Sequence, residues 1–511
     1  MRFKRLRCDS MIQTGWKCRF VRCFSTKNGS KFILPKSYQV NKIFSKTLPF
    51  KKCIKIWWNS LSANRLATIQ NELIDLMVPE SLENTGVMKV AKQVVTDQNG
   101  NYINEVGFKV INGENLPTKH LVFIHGYGAS LGCFARNFQI INQFKTSTKF
   151  NYHVHFLDNI TFGLSSNPKL ENKAVSWKIP PCAEIKLFDN EDPDKPKRLY
   201  KKYYKLIDGY QLCPENFARY QSYFKPILED MESFYCTAID QWREASKIPQ
   251  IDFLIGHSFG AYWCGSYALR NPNKIRNLIL LSPVGLERHV MAITNDDKIT
   301  NAIEKPNLDP TTYKFLSRLP ILSQSHILQW YYKIPYLPRF LPYLGPFGVK
   351  MYFKMWLPKL AKINKLIVKH GGAEEIFTSG NDLVYGSKKE IELIVEYLYN
   401  SISNGSHSDI YVRYLLTPAT VSKWPLYDKF VTAFDFNPER FKFNFYLFYG
   451  EYDFMNSEAG EKLIAKLKTR QSQQHFVYDE IAEGGHNLYI DNPFDTNRKI
   501  YEIAMKEETR D

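Results

Sequence analysis

The sequence predicts an α/β fold: a mostly parallel central sheet with helices on both faces, interrupted once by a large insertion. Three observations carry this. The apolar runs HLVFI (120–124), YHVHFL (152–157), IDFLI (251–255) and NLILL (277–281) alternate with helical segments. Strands that alternate with helices pair in parallel and are covered on both sides. Residues 286–435 break that alternation, and FNFYLFY (443–449) and HFVYDEI (475–481) restore it. The chain has 511 residues, 44% hydrophobic and 23% charged, enough for one large domain with insertions.

The elements follow in order from the N-terminus. Residues 1–60 hold fifteen Lys and Arg against one acid, Asp9, while the remaining chain is nearly balanced within a total of +17. Charge confined to a terminal segment is not the folded basic stripe of a nucleic-acid-binding domain. Residues 1–25 are Arg-rich, acid-poor and lack a long apolar run, which excludes a secretory signal and predicts a mitochondrial transit peptide. Arg22-Cys23-Phe24-Ser25 resembles a presequence cleavage site. Residues 26–60 are expected to be a basic arm, disordered or touching a membrane.

The core is expected over 61–285 and 436–511. Leu66, Ile69, Leu73 and Leu76 or Met77 have helical spacing. VMKVAKQVV and YINEVGFKVI flank Asn99-Gly100 and read as a hairpin. FARNFQIINQF (134–144) reads as a helix, residues 169–214 as a surface insertion, and 226–246 as an amphipathic helix beginning at Pro226. Nine scattered cysteines without C-x-x-C spacing suggest neither a disulfide framework nor a zinc site.

Gly256-His257-Ser258-Phe259-Gly260 completes G-x-S-x-G directly after IDFLI and before a helix. A sharp strand–helix turn of this kind lifts a serine hydroxyl above a sheet. Ser258 then needs a base, and the base an orienting acid. His486, in the loop Glu483-Gly484-Gly485-His486, is the base favoured over His475, which opens a strand. Asp453 in Gly450-Glu451-Tyr452-Asp453 is the favoured acid, with Glu451 its local rival. His125-Gly126-Tyr127-Gly128 follows an earlier strand, so the backbone N–H groups of Tyr127 and Phe259 are the expected oxyanion donors. This chemistry calls for no metal and no cofactor.

The segments HLVFIHGYGAS, FLDNITFGLSS, LIGHSFGAYWCGSYALRNPNKIRNLILLSPVG and GGHNLYID together resemble the α/β-hydrolase family. More narrowly they resemble its phospholipid-acting branch, with fungal mitochondrial cardiolipin-specific deacylases and relatives described as lysophosphatidate acyltransferases or lipase co-activators. The likeness covers residues 65–165, 215–285 and 436–500. It implies the α/β-hydrolase fold with a lid, and Ser258, Asp453 and His486 as the triad. It also implies the pattern His486-x-x-x-x-Asp491, which that branch links to acyl transfer. The plainer reading of Asp491 is a loop acid before Asn492-Pro493.

Residues 286–435 are expected to form the lid. Within them, 328–358 hold ten aromatics, five prolines, four cations and no acid. Trp330, Lys333, Arg339, Lys350, Lys354 and Trp356 are the expected membrane-facing residues, because Trp favours the interface and cations favour anionic headgroups. The expected activity is a serine acyl-hydrolase of the phospholipase A type acting on mitochondrial phospholipids, cardiolipin foremost, from the matrix side of the inner membrane. The alternatives are an acyl-CoA-dependent lysophospholipid acyltransferase and a non-catalytic lipase-binding scaffold.

Overall fold

The computed structural model describes residues 48–62, 64–78, 86–188, 207–318, 331–332, 339–369 and 384–510. The expected transit peptide, most of the basic arm, Trp330 and Lys333 lie outside the described residues, as does 189–206 of the surface insertion.

Eight strands form one sheet in the order β1-β2-β4-β3-β7-β8-β9-β10. They are β1 (Val87–Val95), β2 (Tyr102–Val110), β3 (Thr118–Ile124), β4 (Asn151–Leu157), β7 (Ile251–His257), β8 (Ile275–Leu281), β9 (Asn444–Gly450) and β10 (Phe476–Ile481). A separate two-stranded ribbon, β5 (Ile185–Phe188) with β6 (Gly209–Leu212), belongs to the surface insertion. β1 and β2 form the expected hairpin, and β2 is antiparallel to β4. All pairings from β4 to β10 are parallel. Their near-continuous apolar sequences follow from burial on both faces: every residue of β4 and β9 is buried.

Among the described residues, ten α-helices of eight residues or more surround the sheet: α1 (Phe50–Ser60), α2 (Arg65–Met77), α3 (Pro214–Ala245), α4 (Ser258–Arg270), α5 (Pro346–Leu360), α6 (Lys388–Ser403), α7 (Ser408–Leu415), α8 (Leu426–Phe436), α9 (Ser457–Arg470) and α10 (Pro493–Glu508). One core lies between the sheet and α3, α4, α7, α8 and α9. The other lies between the sheet and α1, α2, α5, α6 and α10. The block expected as a lid therefore supplies helices to both layers, because each carries an apolar face that must be buried.

Three elements differ from expectation. Residues 50–60 of the basic arm form a helix that buries Cys53 and Ile56. Residues 131–140 are a 3-10 helix rather than an α-helix, buried at every described position but Gln139. A segment enclosed on all sides has no single apolar stripe to favour α-helical spacing. α3 begins twelve residues before Pro226 and runs through it. Proline inside a helix costs about 3 kcal/mol, and burial of Phe217, Tyr220 and Phe224 in that first stretch offsets it.

The ends of α5 and α6 are tied to the 3-10 segment by one buried guanidinium. Arg136, 1% exposed, donates from Nε to Glu390 Oε1 at 2.6 Å and from Nη2 to Glu390 Oε2 at 3.1 Å. It also donates to the Ile490 carbonyl at 2.8 Å and the Leu360 carbonyl at 3.1 Å. Removing one partner of a buried pair leaves an uncompensated charge. Arg136→Leu should therefore lower stability by about 3–5 kcal/mol in chemical denaturation; an unchanged midpoint would mean that Glu390 finds another partner.

Candidate active site

The site is built at the C-terminal edge of the parallel strands. β7 ends at His257 and α4 begins at Ser258, which has φ +52°. That left-handed backbone costs a non-glycine residue roughly 1–2 kcal/mol, and the flanking glycines make the turn possible. A Cβ on Gly256 would lie 2.7 Å from the Ala261 Cα, and one on Gly260 would lie 2.3 Å from the His125 carbonyl oxygen. Only glycine fits at either place.

Loops after β9 and β10 supply the next two groups. His486 Nε2 lies 2.9 Å from Ser258 Oγ, and His486 Nδ1 lies 3.1 Å from Asp453 Oδ1. The structure thus brings Ser258, His486 and Asp453 into one hydrogen-bonded chain. Burial pushes the Asp453 carboxyl up, but the adjacent His486 and the Met455 N–H, 3.0 Å away, outweigh it and hold it below the ordinary value. A carboxylate so held fixes the proton on Nδ1 and leaves the Nε2 lone pair toward the hydroxyl. The two rivals sit elsewhere. Glu451 is exposed and accepts from the Glu483 N–H at 2.9 Å. His475 contacts Arg510 before the start of β10.

The loop after β3 lies against the elbow. A Cβ on Gly126 would be 3.0 Å from the Ser258 Cβ. Tyr127 and Phe259, the expected backbone donors, are neighbours with ring centroids 6.4 Å apart. His125 fixes this loop: its Nε2 accepts from the Asn159 N–H at 3.0 Å, so its Nδ1–H donates to the Gly126 carbonyl at 2.8 Å. Burial lowers the His125 imidazole to about 4, so it serves as a neutral strut. His257 braces the base in turn, donating from Nε2 to the His486 carbonyl at 2.9 Å. Neither strut stands out in sequence, because each is one histidine beside a glycine motif.

Asp491 does not stand in the chain of three. Its carboxylate accepts from the Gly485 N–H at 2.9 Å, beside His486. Burial raises its carboxyl, and the Gly485 N–H works against that rise.

Arg339 corrects an expectation. It is not a membrane-facing cation but 3% exposed, paired with Asp409 at 2.5 Å and donating to the Ser401 carbonyl at 2.9 Å. Asp409 also accepts from the Tyr127 hydroxyl at 2.9 Å. The guanidinium is drawn inward because an acid and the end of α6 satisfy it there, and it links that end to the oxyanion loop. Lys350 and Lys354 are exposed, whereas Trp356 is half-buried with Lys359 Nζ 5.3 Å from its ring centroid.

A sequence profile described as the alpha/beta hydrolase fold matches residues 119–493. The chain belongs to the α/β-hydrolase fold family. It is 25% identical over 458 residues to Protein ECM18 of Saccharomyces cerevisiae, covering 89% of this chain and 85% of that protein. It is 24% identical over 455 residues to 1-acylglycerol-3-phosphate O-acyltransferase ICT1 of the same yeast, covering 88% of this chain and 96% of the relative. Among solved structures, a bacterial membrane phospholipase A aligns at TM-score 0.41 and 14% identity, over 87% of this chain and 93% of that one. The fold is that of a hydrolase family, with lipid-acting relatives.

The placement of Asp491 generates a prediction. An amide can still accept the Gly485 N–H, so Asp491→Asn should lower ester turnover by no more than about tenfold, the equivalent of one charge-assisted hydrogen bond. His486→Ala should abolish turnover. A loss in Asp491→Asn as deep as that in His486→Ala, measured on a soluble short-chain ester, would place Asp491 in the reaction itself.

Proposed function

We propose that the protein is a serine acyl-hydrolase that removes acyl chains from membrane phospholipids, cardiolipin foremost, at the mitochondrial inner membrane. The observation that carries this is the Ser258–His486–Asp453 chain beside the loop of Tyr127. Ser258 Oγ passes its proton to His486 Nε2 as it bonds to the ester carbonyl carbon. Backbone N–H groups of Tyr127 and Phe259 stabilise the oxyanion, aided by the positive end of α4; one such donor is worth about 3 kcal/mol. His486 then gives the proton to the departing lysophospholipid oxygen. Water repeats the sequence on the acyl-enzyme, restores Ser258 and releases the fatty acid.

Two apolar stripes support a membrane substrate. On α1, Phe50, Ile54 and Trp58 are exposed at four-residue intervals; on α5, Phe347, Met351 and Met355 are exposed at the same intervals. The helices pack together, with the Phe50 and Phe347 rings 5.1 Å apart, and Tyr343 and Leu344 extend the patch. Lys51, Lys55, Lys350 and Lys354 are exposed beside the stripes, and neither helix contains an acid. An apolar face rimmed by cations alone suits an anionic bilayer. Among the described residues no helix is long and apolar enough to cross a membrane; the contact proposed here is the peripheral one these two stripes can make. α5 also packs on the turn after His486, which brings the docking face near the site. The acid-poor N-terminus supports the mitochondrial address.

A second reading is transfer of the acyl group to a lysophospholipid. It is favoured by the name of the yeast relative ICT1. The two readings share the acyl-enzyme and differ in its acceptor. Fatty acid release and lysophosphatidate acylation from acyl-CoA, measured with one preparation, separate them. Ser258→Ala should lower either activity by about 10⁶-fold and Asp453→Asn by about 10⁴-fold; turnover that survives Ser258→Ala would overturn the serine mechanism, and neither activity in the unaltered chain would leave it as a scaffold.

Docking is tested with vesicles with and without cardiolipin. Replacing Lys51, Lys55, Lys350 and Lys354 by Gln should weaken binding by about 4 kcal/mol at low salt, near 1 kcal/mol per cation, and flatten the salt dependence. Trp58→Ala with Phe347→Ala should weaken binding with the salt slope retained. Binding indifferent to both sets would move the contact to another surface.

A further inference from the structure

We infer that His120, His153 and His155 form a binding site for one borderline divalent transition-metal ion of the zinc class, at the end of the sheet opposite Ser258. His153 and His155 alternate along β4 and point to one face, and the parallel register sets His120 of β3 directly beside His153. One ring nitrogen from each of the three lies within 4.8 Å of the others. His120 Nδ1 and His155 Nε2 are 3.0 Å apart. Imidazoles on a tetrahedral ion at about 2.0–2.1 Å hold their nitrogens roughly 3.4 Å from one another, so small ring rotations accommodate it.

The surroundings are those of a ligand set. Glu105, wholly buried, accepts from His155 Nδ1 at 2.8 Å and from Trp242 Nε1 at 3.0 Å. That bond fixes the tautomer of His155 with its Nε2 lone pair turned to the cluster, the arrangement by which a carboxylate orients a metal-bound imidazole. His153, 7% exposed, has Nε2 buried without a hydrogen-bond partner. Such an atom is costly to leave unsatisfied, and an ion satisfies it. Gly107 of β2 makes the room: a Cβ there would lie 2.7 Å from His153 Nε2.

Neutral imidazole is the ligand form. The cluster lines a cavity of about 370 Å³ that also meets Lys92 and Lys109. A fourth coordination position on that side is open to water. Glu105 offsets part of the ion's charge, and an ion there would pin β2, β3, β4 and α3 together. Three imidazoles suit zinc, copper, nickel or iron rather than magnesium or calcium.

The test uses the purified full chain, stripped with a chelator and titrated with Co(II) as the probe, then Zn(II). The expected result is one Co(II) per chain with the intense visible absorption of tetrahedral coordination, lost on adding Zn(II), and a rise in thermal midpoint with either ion. His153→Ala and His120→Asn should each weaken binding at least tenfold, and Glu105→Gln should weaken it about 10–100-fold. His120 is half-buried at the rim, so His120→Asn decides the matter if His153→Ala fails to fold. Absence of tetrahedral Co(II), or binding unchanged in His120→Asn, overturns the site.

Discussion

The arrangement of this molecule depends on a guanidinium buried away from solvent. Stripping Arg136 and Glu390 of solvent costs several kcal/mol per ion. The cost is met by a two-pronged ion pair and by two carbonyls, from Leu360 at the end of α5 and Ile490 beyond His486. Glu390 is held in turn at the start of α6, where it accepts from the Gly386 N–H at 3.2 Å. Four segments distant in sequence thus converge on one side chain. One follows the oxyanion loop and another carries the base, so an interaction that touches neither the hydroxyl nor the imidazole joins two of the segments around them.

Around that anchor, close approach does the positioning. Glycine at 260 lets α4 start almost in contact with the end of β3, glycine at 256 lets α4 fold back on the end of β7, and glycine at 126 lets the oxyanion loop meet the serine. The imidazoles of His125 and His257 then stiffen the loops through carbonyls. Arg339 and Asp409 extend the chain outward to Tyr127. The insertion between β8 and β9 is therefore wired to the reaction site by buried polar groups as well as by packing.

What could be read in the sequence was local. G-x-S-x-G declares itself within five residues, and the strands around it are apolar runs with short turns. Asp453 and His486 could be chosen because each sits in a loop just after a strand. What escaped was non-local or disguised. Arg339 reads as a surface cation until Asp409, seventy residues on, is folded against it. The lysines of α1 conceal an apolar stripe at Phe50, Ile54 and Trp58, which four-residue spacing would have revealed. From sequence α3 begins at Pro226, whereas the aromatic residues that hold its earlier turns act through tertiary contacts. The 3-10 segment has no sequence signature, since its burial on all sides comes from α2, α6 and α10. The histidine cluster had a partial signal in the alternating His153 and His155, but its third member depends on the register of β3 against β4.

The two ends of the sheet use the same pairing to different ends. At one, Asp453 accepts from the Nδ1–H of His486 at 3.1 Å and the other nitrogen faces a hydroxyl 2.9 Å away. At the other, Glu105 accepts from the Nδ1–H of His155 at 2.8 Å and the other nitrogen faces His120 at 3.0 Å. In both, a buried carboxylate sets the tautomer and so decides where a lone pair points. What differs is the group it points at. A hydroxyl can surrender a proton and become a nucleophile, so a lone pair there does proton transfer. A second imidazole offers a lone pair of its own once its proton sits on the far nitrogen, so with a cation between them the two facing nitrogens coordinate it. Burial sharpens the contrast: His155 is closed off, whereas the His486 side chain keeps 18% of its surface exposed. An imidazole that must gain and lose a proton in each turnover needs that access, and one that holds an ion does not.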